Sequence, residues 1–297
     1  MTLIEPLILP SPGYVTPFRT QLLKWVGNKQ KMAHQIANLF PPDLRIYHEP
    51  FLGSGAVLAT LMPARAFASD AMAPLMEIWE ALAEDPEKLS TWYAERRNRL
   101  TAHNKVELYE EVKNAYNRSP NGADLLYLCR SCYGGVVRFR QYDGFMSTPC
   151  GAHTPISAES FADRANQWHH RTAGTTFRRL DFRDAFTDAA HGDLVYCDPP
   201  YSDTQSILYG AQAFSLHDLI DCIDAAKSRG VRVALSIDGY KKSGLRQVLH
   251  DFPNGLFETD AKVTVGRSML RRFQMNGQTL EDEVVADRLL LTYPLED

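Results

Sequence analysis

The sequence lacks the marks of several common protein classes. It has only five cysteines in 297 residues, an odd and scattered set, so no disulfide framework is expected. Cys129 and Cys132 form a single Cys-x-x-Cys with no second pair and no nearby histidine set, which argues against zinc, and no metal is expected. No apolar run approaches the roughly 20 residues needed to cross a bilayer. The first seventeen residues are broken by Pro6, Pro10, Pro12, Gly13 and Pro17, which reads as an extended, flexible leader rather than a secretory signal. A reduced cytoplasm is the expected compartment. A net charge of −4 is not that of a bulk nucleic-acid binder. Both phosphate-loop signatures are missing, the three-glycine dinucleotide turn and the Gly-Lys-Ser/Thr loop, so neither a dinucleotide nor a nucleoside triphosphate is the expected ligand.

What is present begins with Asp198-Pro199-Pro200-Tyr201. It follows Asp193-Leu194-Val195-Tyr196-Cys197, an apolar run that reads as a buried parallel strand. In open α/β sheets ligands bind beyond the carboxyl ends of the strands. Two prolines fix φ and remove two donors, leaving carbonyls without local partners. A stiff set of acceptors beside an aromatic ring suits a planar base carrying an exocyclic amine. Read blandly, the tetrad is a Pro-Pro turn with Asp and Tyr on the surface. Cys197 reads as core rather than nucleophile.

A second site lies at Glu49-Pro50-Phe51-Leu52-Gly53-Ser54-Gly55. Leu44–Tyr47 reads as the strand before it and Ala56–Leu61 as the helix after it. Gly53 and Gly55 permit a tight turn and close approach of backbone to a ligand. Strand, glycine turn and helix form a nucleotide-type layout, and an adenosyl cofactor without phosphates fits it. Ala66–Asp70 reads as a second strand ending in an acid. Asp70 is then either a ribose ligand or the cap of the next helix.

Lys24-Trp25-Val26-Gly27-Asn28-Lys29, the Glu49–Gly55 turn and the Asp198 tetrad occur in the order found in Dam-type DNA adenine-N6 methyltransferases, and the sequence resembles that family from about Leu22 to Tyr293. The resemblance implies S-adenosyl-L-methionine as cofactor and double-stranded DNA as partner, in a bacterial or phage context. A cognate restriction endonuclease is left open, as is oligomeric state. Trp25 and Lys29 would close over the cofactor, with Lys29 near its methionine carboxylate. Glu49, Phe51, Gly53 and Gly55 would form the cofactor loop. Asp70 would hold the ribose, Asp181 and Phe182 would bracket the cofactor adenine, and Asp198, Pro199 and Tyr201 would take the target adenine, with Asp198 also touching the cofactor. Lys24 would reach DNA. Taken singly, Trp25 and Phe182 read as packing, and Lys24 and Lys29 as solvated charges.

The implied chemistry raises the nucleophilicity of an amine whose lone pair is delocalised. The Asp198 carboxylate and the Pro199 carbonyl would each accept one N–H. Positioning against the cofactor methyl would then allow in-line displacement, after the base has been flipped out of the duplex. Asp203–Ser206 reads as a polar segment that orders on DNA.

The β/α alternation breaks between Pro86 and Cys132, where the pattern is helical and charge-rich. The expected architecture is α/β, a Rossmann-like, mostly parallel methyltransferase sheet with an inserted helical and hairpin DNA-recognition domain. The expected division is a leader at 1–17, a catalytic domain at 18–85 and 164–297, and a target-recognition insert at 86–163. Helices are expected at Lys29–Phe40, from Asp70 to about Ala83, at Ser157–His170 and at Leu216–Arg229. Later strands are expected near Thr175–Leu180, Leu194–Cys197, Val231–Ser236, Leu256–Val265 and Val284–Thr292. Val136–Arg140, a turn at Tyr142–Gly144 and Phe145–Thr148 read as a hairpin.

Arg130, Arg138 and Arg140 lie in one acid-free stretch, and Lys262, Arg267, Arg271 and Arg272 in another. Both could line a phosphate-contacting cleft. By resemblance, Arg138 and Pro149 enter the major groove and Tyr133 fills the space of the flipped base. An arginine on guanine is the commonest specific contact. The segment departs from the family where Met146 follows Gly144-Phe145 and where Arg130–Tyr133 replaces an Asn-rich lead-in, so the target sequence stays open. The alternative functions are methylation of adenine in RNA and a non-catalytic DNA-binding protein with a methyltransferase core.

Overall fold

A computed structural model describes residues 15–140, 142–200, 214–238, 252–264 and 286–295. In chain order the elements are α1 (Ala33–Ala37), β1 (Tyr47–Glu49), α2 (Ala56–Leu61), β2 (Ala66–Asp70), α3 (Ala73–Glu84), α4 (Pro86–Arg97), α5 (Lys105–Arg118), α6 (Gly122–Ser131), a 3-10 turn (Tyr133–Gly135), α7 (Ala158–Arg171), β3 (Thr175–Arg179), α8 (Phe182–Thr187), β4 (Leu194–Cys197), α9 (Leu216–Ser228), β5 (Arg232–Asp238), β6 (Thr259–Thr264) and β7 (Ala286–Leu291).

The seven strands form one sheet in the order β3-β2-β1-β4-β5-β7-β6. The first five are parallel. β7 is antiparallel to both β5 and β6. The strand order reverses between β1 and β4, and a crevice at such a switch point is where doubly wound sheets hold ligands.

Period-two alternation sorts side chains onto two faces. Leu194 and Tyr196 of β4 join the larger core with α1, α2, α3 and α7, whereas Val195 and Cys197 join the second core with α8 and α9. All four are buried, as expected of a central parallel strand. β3 is an edge strand, and of its five residues only Phe177 is fully buried.

Helices α7 and α9 lie within a residue of their expected bounds. In α7 the Ser157 side chain accepts from Ser160 N, and Phe161, Ala165 and Trp168 bury one stripe. In α9 Ser215 caps Asp218 N, Leu219, Ile223 and Ala226 face the sheet, and Gly230 ends the helix at φ 76°.

Several expectations need correction. β1 lies at Tyr47–Glu49 rather than 44–47. Two of its three residues are polar, and each is buried with a partner: His48 on Asp193 and Glu49 on the Tyr47 hydroxyl. Buried polar residues hide the apolar signature of a strand. The Lys29–Phe40 helix is reduced to α1, because the Asn28 side chain and the Lys29 carbonyl make a turn first. α3 begins at Ala73, with Asp70 ending β2. The short helix α8, capped by Asp181, was not expected. Val15, placed in the leader, is hydrogen-bonded through both its N–H and its carbonyl to Asn38. The expected turns at 142–144 and arms at 136–148 are made, but the arms pair only through a Phe139–Met146 bridge and flanking backbone bonds. Among the described residues no helix is long and apolar enough to cross a membrane.

Candidate active site and recognition segment

The site is built where β1, β2 and β4 end. Glu49 closes β1 and is 3% exposed. The turn that follows gives α2 a glycine N-cap, Gly55, with no side chain to offer. Glu49 replaces it: its Oε2 accepts Leu58 N at 3.1 Å and the Tyr47 hydroxyl at 2.8 Å. A carboxylate at a helix N-terminus satisfies an otherwise orphaned donor. Burial nevertheless dominates and pushes the Glu49 carboxyl up to about 8, with nearby Asp198 adding to the rise.

The glycine turn is clamped between two indoles. A Cβ on Gly53, whose φ is +46°, would sit 3.3 Å from the Trp25 ring. A Cβ on Gly55, at φ +61°, would sit 2.9 Å from Trp79, and Trp79 Nε1 donates to the Gly53 carbonyl at 3.2 Å. Trp79 is fully buried on α3 and stacks on Phe177 at 5.6 Å. Sequence reasoning missed it. Its aromatic position on the buried face of α3 gave only a core signal, with nothing to tie it to the turn.

Asp70 does two things at once. Oδ2 accepts Gly53 N at 3.2 Å and Oδ1 accepts Met72 N at 3.0 Å, so it braces the turn and caps the chain entering α3. Burial raises its carboxyl above the usual range.

Lys29 and Asp198 join the two halves of the site. Lys29 Nζ lies 2.9 Å from Asp198 Oδ1, with both side chains largely buried. The residue assigned from the cofactor motif and the first residue of the tetrad therefore meet directly. Pro199 is buried. Tyr201 and Asp203–Ser206 lie outside the described residues, as do Arg267, Arg271 and Arg272.

Phe51 and Phe182 come together, stacked at 5.3 Å. Phe214, which the sequence gave no reason to select, closes a three-ring cluster at 5.9 and 5.8 Å. Asp181 caps α8 through Arg183 N at 3.0 Å and also pairs with the Arg183 guanidinium at 2.9 Å.

The recognition segment alternates. Val137, Phe139, Met146 and Thr148 are buried, whereas Tyr133, Arg138 and Pro149 are exposed. Lys24 is exposed beside it, and a Cβ on Gly135 would sit 2.9 Å from the Lys24 Cβ. Arg140 pairs with Asp143, Nε to Oδ1 at 3.0 Å, and lies 5.0 Å from both the Tyr142 and Phe145 rings. Thr148, expected only as the end of the second arm, binds the two arms: its Oγ1 accepts Arg138 N at 2.9 Å and donates to the Val136 carbonyl at 2.8 Å. Asn117 of α5 grips Met146 through both its N–H and its carbonyl.

Arg130 is a correction. Read as a phosphate contact, it is 6% exposed and donates to the Leu22 and Gln21 carbonyls at 2.6 and 3.2 Å. With Arg164 on Gln21 and Trp168 on the Thr20 carbonyl, it anchors the segment that carries Lys24 and Trp25. Among the described residues no group of three or more His, Cys, Asp or Glu could hold a metal.

Comparison with known proteins identifies the family. The family model described as D12 class N6 adenine-specific DNA methyltransferase matches residues 25–264. A type II methyltransferase of Lactococcus lactis subsp. cremoris is 27% identical over 233 residues, covering 72% of this chain and 79% of that protein. A DNA adenine methylase of Vibrio cholerae serotype O1 is 26% identical over 235 residues, with the same two coverages. A DNA adenine methylase of Serratia marcescens is 25% identical over 269 residues, covering 86% of this chain and 95% of that one.

Proposed function

Because the chain belongs to the D12 class N6 adenine-specific DNA methyltransferase family, we propose that it methylates the exocyclic amine of adenine at a specific site in double-stranded DNA, with S-adenosylmethionine as donor. The observation that carries this reading is the Lys29–Asp198 contact at 2.9 Å, which sets the first residue of the tetrad against the Lys24–Lys29 motif assigned to the cofactor.

The residues fit the cofactor. The turn at Gly53 and Gly55 offers backbone with no room for a side chain on either face. Among the described residues Glu49 Oε1 takes no hydrogen bond, leaving one polar atom of this buried carboxyl for a ligand. Phe51 and Phe182 provide flat apolar surface, and Lys29 a cation for a carboxylate. When bound, the cofactor supplies an activated methyl group on a sulfonium.

The chain's own groups then do the positioning. Asp198 accepts one N–H of the target amine and the Pro199 carbonyl the other, which returns density to the nitrogen lone pair. A charged acceptor contributes roughly twice what a neutral one does. Lys29 balances the Asp198 charge before substrate arrives. Alignment of the amine with the methyl by these fixed acceptors favours direct in-line displacement. The adenine reaches them only if flipped from the duplex, with Tyr201 stacking on it.

Residues 86–163 act as the target-recognition insert between the two parts of the catalytic domain, 18–85 and 164–297. Lys24, Tyr133, Arg138, Arg140 and Pro149 meet the DNA, with Arg138 reading a base and Lys24 meeting a phosphate. The exposed arm of this insert favours a duplex over the RNA alternative.

The test is Asp198→Ala. Methyl transfer to DNA is expected to fall by about 100-fold or more, with cofactor affinity held within a few-fold by calorimetry. Near-normal turnover would remove Asp198 from its role. Cofactor binding by the parent protein without transfer to any DNA would instead support a non-catalytic binder.

A further inference from the structure

We propose that Cys132 and Cys150 are a disulfide-forming pair at the base of the recognition segment, oxidised by low-molecular-weight disulfides. The two residues face each other in an antiparallel bridge. The backbone bonds run on either side of them, Tyr133 N to the Pro149 carbonyl and Gly151 N to the Ser131 carbonyl, both 2.8 Å. That is the pattern of a non-hydrogen-bonded pair, whose Cα atoms lie about 4.5 Å apart. A disulfide spans Cα separations of about 4.4–6.8 Å. Residues directly opposite in a ladder also project their side chains to the same face. The strands are tightly apposed: a Cβ on Gly151 would sit 2.8 Å from the Cys132 carbonyl oxygen. No backbone movement is needed to close the bond.

Both thiols are free in the structure, Cys132 Sγ turned to the Cys129 carbonyl and Cys150 Sγ to the Lys105 and Gly151 carbonyls. Rotation about χ1 brings the sulfurs together. Cys132 is buried and Cys150 only partly so, which makes Cys150 the point of entry. Its thiolate attacks one sulfur of the small disulfide and expels a thiolate. The Cys132 thiolate then attacks the Cys150 sulfur and expels the second. The pair loses two electrons and two protons, and the small disulfide becomes two thiols.

Cys197 and Cys222 are not opposed in this way, and Cys129 lies within α6. The bond would close a loop over residues 133–149, from Tyr133 to Pro149, and tie its base to the end of α6. Bond formation does not depend on what the segment binds. Its consequence for DNA rests on the function proposed above.

The experiment treats the full-length enzyme with oxidised glutathione and maps peptides without reduction. One intramolecular link between Cys132 and Cys150 is expected, reversed by dithiothreitol. Exchange of the Tyr133 and Gly151 amides is expected to slow by about tenfold or more, while amides of the 53–55 turn stay unchanged. Cys132→Ser should leave a stable glutathione adduct on Cys150, and Cys150→Ser should abolish the link and the slowing. A lasting adduct on Cys150 in the parent protein, or a link through Cys129 or Cys222, would overturn the pairing. A link that leaves those two amides exchanging as before would overturn the locking of the base. A slowed base with an unchanged KM for DNA would keep the pair and count against the DNA assignment of the segment.

Discussion

Glu49 is a carboxylate placed where water cannot solvate it, held by one hydroxyl and one helix N–H. Its folded value of about 8 stands above the 4.5 of an unperturbed glutamic acid. Between those two pH values the folded chain keeps a proton that the unfolded chain has lost. Each rise in pH through that window therefore favours unfolding, and the stability is fully present only below it. Each unit of such a shift corresponds to about 1.4 kcal/mol. In the cofactor-free protein, chemical-denaturation midpoints are expected to fall from pH 5 to pH 8, and Glu49→Gln should flatten that slope. An unchanged slope in the variant would move the effect to another group. Asp70 shows the same economy of means: one carboxylate braces the glycine turn and caps the next segment.

At the scale of elements, the glycine turn and the recognition segment are both held from behind. Trp25 and Trp79 close on the turn from two sides. In the segment, Thr148 joins the two arms where a regular ladder is missing. Thr148→Val keeps the shape and leaves the Arg138 N–H and the Val136 carbonyl without that partner. A loss on the order of 1 kcal/mol is expected locally, read as a several-fold rise in the KM for DNA with cofactor affinity unchanged. If cofactor affinity fell in step, Thr148 would be supporting the whole fold rather than the arm.

At the scale of the whole molecule, one large core runs from Leu22 to Tyr293 and includes residues of the sheet and of α4, α5 and α6. Trp168 sits at its junctions. It donates to the Thr20 carbonyl at 3.0 Å, and its ring lies 5.4 Å from Phe18 and 5.6 Å from Trp79. Trp168→Ala is expected to cost about 3–5 kcal/mol and to weaken cofactor binding as well, since the segment bearing Trp25 loses an anchor. Thermal unfolding together with calorimetry checks both. Loss of stability with intact cofactor affinity would separate the two roles.

The sequence by itself determined the parts that depend on neighbours along the chain. The apolar run ending at Cys197, the helix stop at Gly230 and the order of the three motifs are local signals, and each is found where it was read. The family follows from those same motifs. Tertiary structure alone decided what depends on distant partners. β1 was misplaced because His48 and Glu49 are polar in isolation and buried only with Asp193 and Tyr47. Arg130 looked like a phosphate contact until the Leu22 carbonyl was seen to hold it. Trp79, Phe214 and Thr148 carry no local mark, because their roles are contacts with residues 10 to 163 positions away. Short-range patterning specifies elements, but the burial of charge and the closing of the crevice are set only when the chain has folded back on itself.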